Sequence, residues 1–235
     1  MNRDNLEELI VKTHSEQERN RKEYRLFDTN VFIINQLPEN IELNAVIGHI
    51  ENNIPRPFID MLDAIYIGNF KEFQEKDTNA FYADGAIYAS SDQDNNLDLV
   101  DDIVHELAHA VEEYYGQHIY GDKSLEKEFL IKRSVLERTL RTQGFETKNI
   151  DFLNVEYTGE FDNFLYQTIG YPRLEILSAN LFIGPYAITS LREYFATGFE
   201  EYYLTDAKEL KFLCPKLYNK LKQIDYLGGD YEDQF

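Results

Sequence analysis

The sequence predicts an α+β fold in which a small mixed sheet is followed by a mainly helical C-terminal part. Up to residue 90 the apolar residues come in short runs typical of strands, whereas later in the chain they recur at the three- and four-residue spacing of helices. The chain has 235 residues, 43% of them hydrophobic, which is enough to bury the core of one large domain or two small ones. No internal repeat or long linker divides it, so we expect a single domain.

Strands and short helices are expected to alternate in the N-terminal half. Helices are predicted at residues 4–22 and 40–50, strands at 31–34 and 64–68, a loop at 69–79, and a hairpin or bent strand at 80–89. Asp84-Gly85 would form the turn or bulge of that last segment. His14 and His49 fall in the two predicted helices and are interpreted as a surface residue and a structural residue.

The C-terminal half is expected to be helical. Helices are predicted at 125–140, 160–169, 172–181 and 189–204, with two short ones around Pro215 within 206–224. Gly144 would follow the first helix, and Gly170-Tyr171-Pro172 would separate the next two. Residues 228–235 are acidic and are expected to form a mobile tail.

The most informative stretch is His105-Glu106-Leu107-Ala108-His109, a His-Glu-x-x-His pattern. Because a helix turns once in about 3.6 residues, His105 and His109 project from one face and can hold the same metal ion. Neutral imidazole suits Zn²⁺, and Glu106 can reach a metal-bound water as a general base without being a ligand. This pattern is typical of zinc metalloproteases.

Local signals mark the ends of the helix that carries this motif. Asn95 is a typical N-cap, and Asp98, three residues later, resembles the acidic partner of a capping box. Gly116 is predicted to end the helix. An accidental pair of histidines on a surface helix is the alternative interpretation, which the end signals disfavour.

Two histidines leave a catalytic zinc site incomplete, since such sites usually have three protein ligands and one open position. A third histidine from the extended motif is excluded, because Glu112 and Tyr115 stand where that motif requires glycine and histidine. On spacing alone the third ligand stays open among five residues. These are Glu112, Glu113, His118, Asp122 and Glu193.

Burial favours Glu193 among these candidates. It lies in a segment with Phe195, Phe199 and Tyr203, whose recurrence suggests a largely buried helix. A carboxylate in such a place needs a partner, and a metal ion is a suitable one. Glu112 and Glu113, by contrast, follow His109 by three and four residues on the same helix, positions that suit contact with a ligand or exposure to solvent better than ligation.

The segment around Glu193 also resembles a known family. Glu193, followed by an aromatic pair and alanine, is similar to the glutamate-bearing helix of the gluzincin peptidases, in particular the catalytic domain of anthrax lethal factor and its relatives, including the Pro-Pro endopeptidases. In that family a tyrosine lies seven residues before the ligand glutamate, and Tyr186 has this position. The resemblance implies a zincin-like fold, zinc ligands His105, His109 and Glu193, Glu106 as general base, and Tyr186 as a hydrogen-bond donor to the oxyanion.

The resemblance covers residues 80–116 and 185–225, with three departures. Thr197 stands where an acidic residue behind the ligands is expected, and Asp102 where an apolar residue or threonine is more usual. His109 and Glu193 are 84 residues apart (193 − 109), which is longer than the spacing expected between these two ligands in the family. We therefore divide the chain into the sheet with the motif helix (1–116), an inserted helical region (117–180), the glutamate helix with the C-terminal helices (181–227) and the acidic tail (228–235).

Composition limits the partners. A net charge of −20, from 43 acidic and 23 basic residues, disfavours a nucleic-acid surface and could steer basic peptides toward a cleft. No apolar run is long enough for a membrane span, and the N-terminal residues lack the apolar region of a secretory signal. The single cysteine, Cys214, excludes an internal disulfide. We expect a cytoplasmic or virion-associated protein that acts on a peptide or protein substrate and binds neither nucleic acid nor membrane.

The predicted activity is that of a zinc-dependent endopeptidase. Zinc would acidify a bound water, Glu106 would take its proton, and Tyr186 with zinc would stabilise the tetrahedral oxyanion. The alternative is a structural or binding protein of the same fold, whose metal is absent or only ties its two halves together. Glu106 beside a ligand disfavours that alternative. A self-processing enzyme that acts on one partner in an assembly would have the same motif, and the oligomeric state stays open.

Overall fold

The computed structural model describes residues 24–76 and 78–229. The helix predicted at 4–22, with His14, and the tail beyond residue 229 lie outside the described residues. The described chain combines α-helices with a five-stranded mixed sheet, which confirms the α+β class.

The sheet has the strand order β1-β2-β3-β5-β4. Its strands are β1 (Tyr24–Leu26), β2 (Thr29–Ile33), β3 (Ala64–Gly68), β4 (Ala80–Ala83) and β5 (Ala86–Ser90). The three inner strands run parallel, while β1 and β4 pair antiparallel at the two edges. The predicted hairpin at 80–89 is confirmed: Asp84 and Gly85 have φ of 49° and 79°, both positive as a type I′ turn requires. The strand nearest to the motif helix in sequence is thus paired on one side by the edge strand β4.

Ten α-helices lie within the described residues. They are α1 (Leu43–Asn53), α2 (Arg56–Ile59), α3 (Lys71–Lys76), α4 (Asn96–Tyr120), α5 (Ser124–Thr142), α6 (Gly159–Asn163), α7 (Tyr171–Ser178), α8 (Leu191–Leu204), α9 (Lys208–Leu213) and α10 (Pro215–Gly229). A π-helix spans Phe164–Ile169, and a 3₁₀ turn spans Tyr186–Ile188. Every helix predicted within the described residues is found, with shifted ends.

The loop predicted at 69–79 is wrong, because α3 forms within it. The parallel neighbours β3 and β5 need a crossover connection, which is usually helical. α3 lies in that crossover, and Phe73 on it packs edge-on against Phe81 of β4, with 5.7 Å between ring centroids. Phe73 is half-buried, whereas Lys71 and Glu72 of the same helix are exposed.

The motif helix α4 begins as predicted but does not end at Gly116. The Asn95 side chain accepts hydrogen bonds from the backbone amides of Leu97 and Asp98, at 2.8 and 3.1 Å, which confirms the N-cap. The predicted stop at Gly116 is wrong, since the helix continues to Tyr120. Ile119 is fully buried in the core and stabilises that last turn. The division of the chain at residue 116 consequently falls inside one helix.

One continuous hydrophobic cluster runs through the described residues. It joins strand residues such as Ile65 with Leu107 and Val111 of α4 and with Phe199 of α8. Phe129 of α5, within the segment 117–180, belongs to the same cluster. That segment therefore packs into the common core. No described helix combines the length and the apolar character needed to cross a membrane.

Candidate metal centre

Three side chains from two packed helices converge on one point. His105 and His109 come from α4 and Glu193 from α8, and one donor atom from each lies within 4.8 Å of the others. The Nε2 atom of His105 is 2.9 Å from one carboxylate oxygen of Glu193, and that of His109 is 3.7 Å from the other. Within the described residues this is the cluster able to hold a metal ion.

Local structure places Glu193 in the first turn of α8. Ser190 caps this helix, since its hydroxyl accepts a hydrogen bond of 3.1 Å from the Glu193 backbone amide. Tyr194 and Phe195, the next two residues, are buried and fix the rotation of the helix against the core. The carboxylate of Glu193 is thereby directed toward α4.

The donor set fits zinc. Ligand atoms about 2.0–2.2 Å from a tetrahedral Zn²⁺ lie about 3.3–3.6 Å from one another, and the observed separations of 2.9 and 3.7 Å bracket that range. Two imidazoles and one carboxylate are a ligand set found in catalytic zinc sites. The three side chains are also mostly buried, so few water molecules compete for them.

The second ring nitrogen of each histidine contacts a further carboxylate. The Nδ1 atom of His105 is hydrogen-bonded to Glu200, and the Nδ1 atom of His109 lies 3.2 Å from Glu112. Metal-binding histidines typically donate their other ring N–H to a carboxylate, which orients the ring and makes it a stronger ligand. Both rings therefore have the nitrogen nearer Glu193 directed to the common point and the other nitrogen already paired.

His105 lies between the carboxylates of Glu193 and Glu200. Burial by itself would lower the pKa of His105, but hydrogen bonds with Glu193 and Glu200 raise it well above its ordinary value. The two carboxylates thus favour a positive charge between them. A divalent cation bound by His105 and Glu193 would supply such a charge.

Glu200 was not identified from the sequence. The resemblance placed the expected acidic residue at Thr197, one turn after Glu193, whereas the structure has a carboxylate seven residues after it. Two helical turns bring residues i and i+7 to the same face, so this spacing was the available signal. Glu200, on the same helix as Thr197, is thus the acidic residue that contacts His105.

The acidic residue Glu112 contacts His109 and is not a member of the three-residue cluster. Its carboxylate accepts hydrogen bonds from Tyr120 and from Nε of Arg192, the latter at 2.8 Å. These contacts lower the pKa of Glu112 against the effect of its burial. The carboxylate is thus kept ionised behind His109.

The other candidates for the third ligand lie elsewhere. Glu113 and His118 are exposed and are not members of the three-residue cluster. Asp122 is exposed too, and it pairs with Lys220 at 3.1 Å. Asp102, unusual in the resemblance, accepts a hydrogen bond of 2.7 Å from the buried side chain of Gln93.

Glu106, the predicted general base, is buried beside the two histidines. Its side chain is only 8% exposed, and burial raises its pKa, opposed by the nearby rings of His109 and His105. The backbone amide of Tyr82, on the edge strand β4, also faces this carboxylate and lowers its pKa slightly. The carboxylate thus lies between the two histidines and the sheet edge.

Tyr186 lies at the opening of the cluster. Its ring centroid is 5.9 Å from that of His105, and the residue is 44% exposed. Burial of the hydroxyl, followed by the charge of Glu193, raises its pKa, so it stays protonated and able to donate a hydrogen bond. The role of Tyr186 as a donor to the oxyanion stays a prediction.

Arg133 holds the turn that carries Tyr186, a role that the sequence did not reveal. Its guanidinium donates to the backbone carbonyls of Ile188 at 2.6 Å and Thr189 at 2.7 Å, and also to that of Asn154. It is 1% exposed and lies 4.0 Å from the ring centroid of Phe161. A residue of the segment 117–180 therefore fixes the backbone between Tyr186 and the N-cap of α8.

Comparison of the chain with models of protein families, with curated proteins and with solved structures found no match. The geometry of the site itself is therefore the basis for a function.

Proposed function

We propose that this chain is a zinc-dependent endopeptidase with a zincin-like fold. Zinc would be held by His105, His109 and Glu193, with Glu106 as the general base and Tyr186 as the donor to the developing oxyanion. The observation that carries the proposal is the orientation of the two imidazoles. Each has one ring nitrogen directed to the Glu193 carboxylate and the other paired with a separate carboxylate.

The protein's own groups account for the proton transfers. When bound, zinc would lower the pKa of a water ligand to about 7 and polarise a peptide carbonyl. Glu106 would accept the proton of that water and later pass it to the leaving nitrogen. Its raised pKa favours such a shuttle, because a base must also release the proton it has taken.

The edge strand β4 suits an extended peptide. Its outer edge has no strand partner within the described sheet, and the amide of Tyr82 in it lies next to Glu106. An extended substrate could add a strand there through main-chain hydrogen bonds. The scissile bond would then lie between the edge strand and the metal ligands.

The buried, unpaired Cys214 suits a reducing compartment such as the cytoplasm.

The test is a comparison of zinc-loaded wild type and Glu106→Gln on a peptide library, with mass-spectrometric detection of new termini. Wild type should cleave, whereas the variant should bind zinc equally and lose at least about 100-fold in rate. Glu146→Gln, an exposed change of the same chemistry, is the control and should cleave normally. Cleavage by Glu106→Gln at the wild-type rate would refute the mechanism. Tight zinc binding without any cleavage by wild type would favour a structural or binding role.

A further inference from the structure

A group of tyrosines surrounds one carboxylate beside the candidate metal centre. We name as the tyrosine cluster the residues Tyr157, Tyr166, Tyr171 and Tyr186 with Asp162. The hydroxyl of Tyr157 donates a hydrogen bond of 3.0 Å to Oδ2 of Asp162, and the rings of Tyr166 and Tyr171 meet edge-on with 5.4 Å between centroids. Tyr157 and Tyr166 are 53% and 55% exposed, so a ligand can reach their ring faces.

Asp162 has an unused acceptor within this cluster. Its second oxygen, Oδ1, is shielded from solvent and has no hydrogen-bond partner within the described chain. A buried carboxylate oxygen without a donor is unfavourable, and most such groups in proteins are paired. Asp162 is held in place by α6, whose N-cap Thr158 accepts a hydrogen bond from the Phe161 amide. The carboxylate is therefore fixed and still lacks one donor.

The tyrosine cluster adjoins the proposed catalytic centre. Tyr186 belongs to both, since its ring is 5.9 Å from that of His105. Burial is the main cause of the raised pKa of Tyr157, and the charges of Asp162 and Glu193 add to it. Burial and the charge of Asp162 likewise raise the pKa of Tyr171 to about 12. The carboxylate of Asp162 thus acts on both of these hydroxyl groups.

We propose that the tyrosine cluster is a substrate subsite for a cationic side chain, lysine or arginine, close to the scissile bond. This inference rests on the proposed peptidase function. Because Oδ1 is shielded from solvent, the exposed side chain of Tyr157 would turn aside as the ligand enters. Asp162 Oδ1 would then accept a hydrogen bond from the ammonium or guanidinium group, and the exposed tyrosine faces would attract its charge. The long aliphatic part of either side chain would lie along the rings.

Other side chains fit less well. An acidic group would be repelled by Asp162 and by the net charge of −20. A purely apolar group would cover Oδ1 without giving it a donor. A neutral polar side chain could donate a hydrogen bond but would gain less from the aromatic faces and the carboxylate charge.

The experiment measures peptide binding by the zinc-loaded Glu106→Gln protein, which retains bound peptides intact. A random peptide library is equilibrated with it, and the bound fraction is sequenced by mass spectrometry. Lysine and arginine should be enriched at one fixed position. The best arginine peptide is then compared with its citrulline twin, which keeps the shape but lacks the charge.

The affinity ratio of these two peptides identifies the subsite. Asp162→Asn should lower the ratio by about 10- to 100-fold, and Tyr166→Leu by about 2- to 5-fold. Asp206→Asn removes one exposed negative charge that pairs locally with Lys208 and should leave the ratio unchanged. Thermal unfolding of each variant checks that it is folded.

Two results would overturn the subsite: no enrichment of lysine or arginine, or an arginine-to-citrulline ratio that Asp162→Asn does not change. Neither depends on catalysis, because binding is measured with a variant that is expected not to cleave. Failure of the proposed function would instead appear as absent zinc binding or as absent cleavage by wild type. If zinc does not bind, the same binding comparison is made with the metal-free protein.

Discussion

Removing the carboxylate of Glu200 should weaken zinc binding although Glu200 is not among the proposed ligands. It pairs with Nδ1 of His105 and so orients that ring toward Glu193. Loss of such a partner typically lowers metal affinity by about 10- to 100-fold, or about 1.4–2.7 kcal/mol. Since the side chain is 25% exposed, water can replace part of the interaction, and we expect about 10- to 30-fold for Glu200→Ala.

The assay is a competition titration of zinc between the protein and a chromogenic chelator at constant pH. Glu200→Gln keeps an oxygen that can accept from the ring N–H, so its loss should be smaller than that of Glu200→Ala. Glu193→Ala removes a ligand and should lose the most. Glu201→Ala is the matched control, because the neighbouring Glu201 contacts only Thr205 among the described hydrogen bonds and should bind zinc like wild type.

The order of the zinc affinities of these variants tests whether Glu200 orients His105. If folded Glu200→Ala binds zinc within about two-fold of wild type, the carboxylate behind His105 does not orient a metal ligand. If Glu201→Ala loses as much as Glu200→Ala, the effect is one of general charge rather than of the specific contact.

Four further substitutions test the remaining claims. Tyr186→Phe should lower kcat by about 100-fold with little change in zinc affinity, because it removes only an oxyanion donor; an unchanged kcat in a peptide-cleavage assay would exclude this role. Arg133→Met should reduce the free energy of unfolding in urea by about 3–5 kcal/mol, since three backbone carbonyls lose their donor; a loss below about 1 kcal/mol would contradict it. Gly198→Ala should lower the free energy of unfolding by about 1–3 kcal/mol, because the new Cβ would come within 2.8 Å of Cγ of Leu217. Gly116→Ala should raise it by up to about 1 kcal/mol, because the space around Gly116 is open and alanine favours the helix. The opposite order of the two Tm values would refute both predictions.

Where the sequence predicted well, the deciding interactions were local. Asn95 caps α4 through amides two and three residues away, and the Asp84-Gly85 turn depends on the φ values of those two residues alone. The prediction at Gly116 failed because helix propensity is a weak preference that packing overrides. Burial of Ile119 outweighed the glycine, whose cost in a helix is about 1 kcal/mol.

Side chains that act together across long sequence separations were harder to predict. Glu193 was reached through a spacing and an aromatic pattern typical of a family, whereas Glu200 and Arg133 had no family pattern to mark them. Glu200 meets His105 across 95 residues, and Arg133 meets the Ile188 carbonyl across 55. Such contacts depend on how helices dock, which one chain's periodicity does not specify.

The sequence by itself determined that His105, Glu106 and His109 share a helix with two imidazoles on one face, because the helical repeat relates residues four apart in any context. The tertiary structure alone decided that Glu193 faces both rings and that Glu200 and Glu112 stand behind them. The physical reason is that a carboxylate's role depends on what lies within a few ångströms of it. That environment is created only when α4 and α8 pack against each other in the common core.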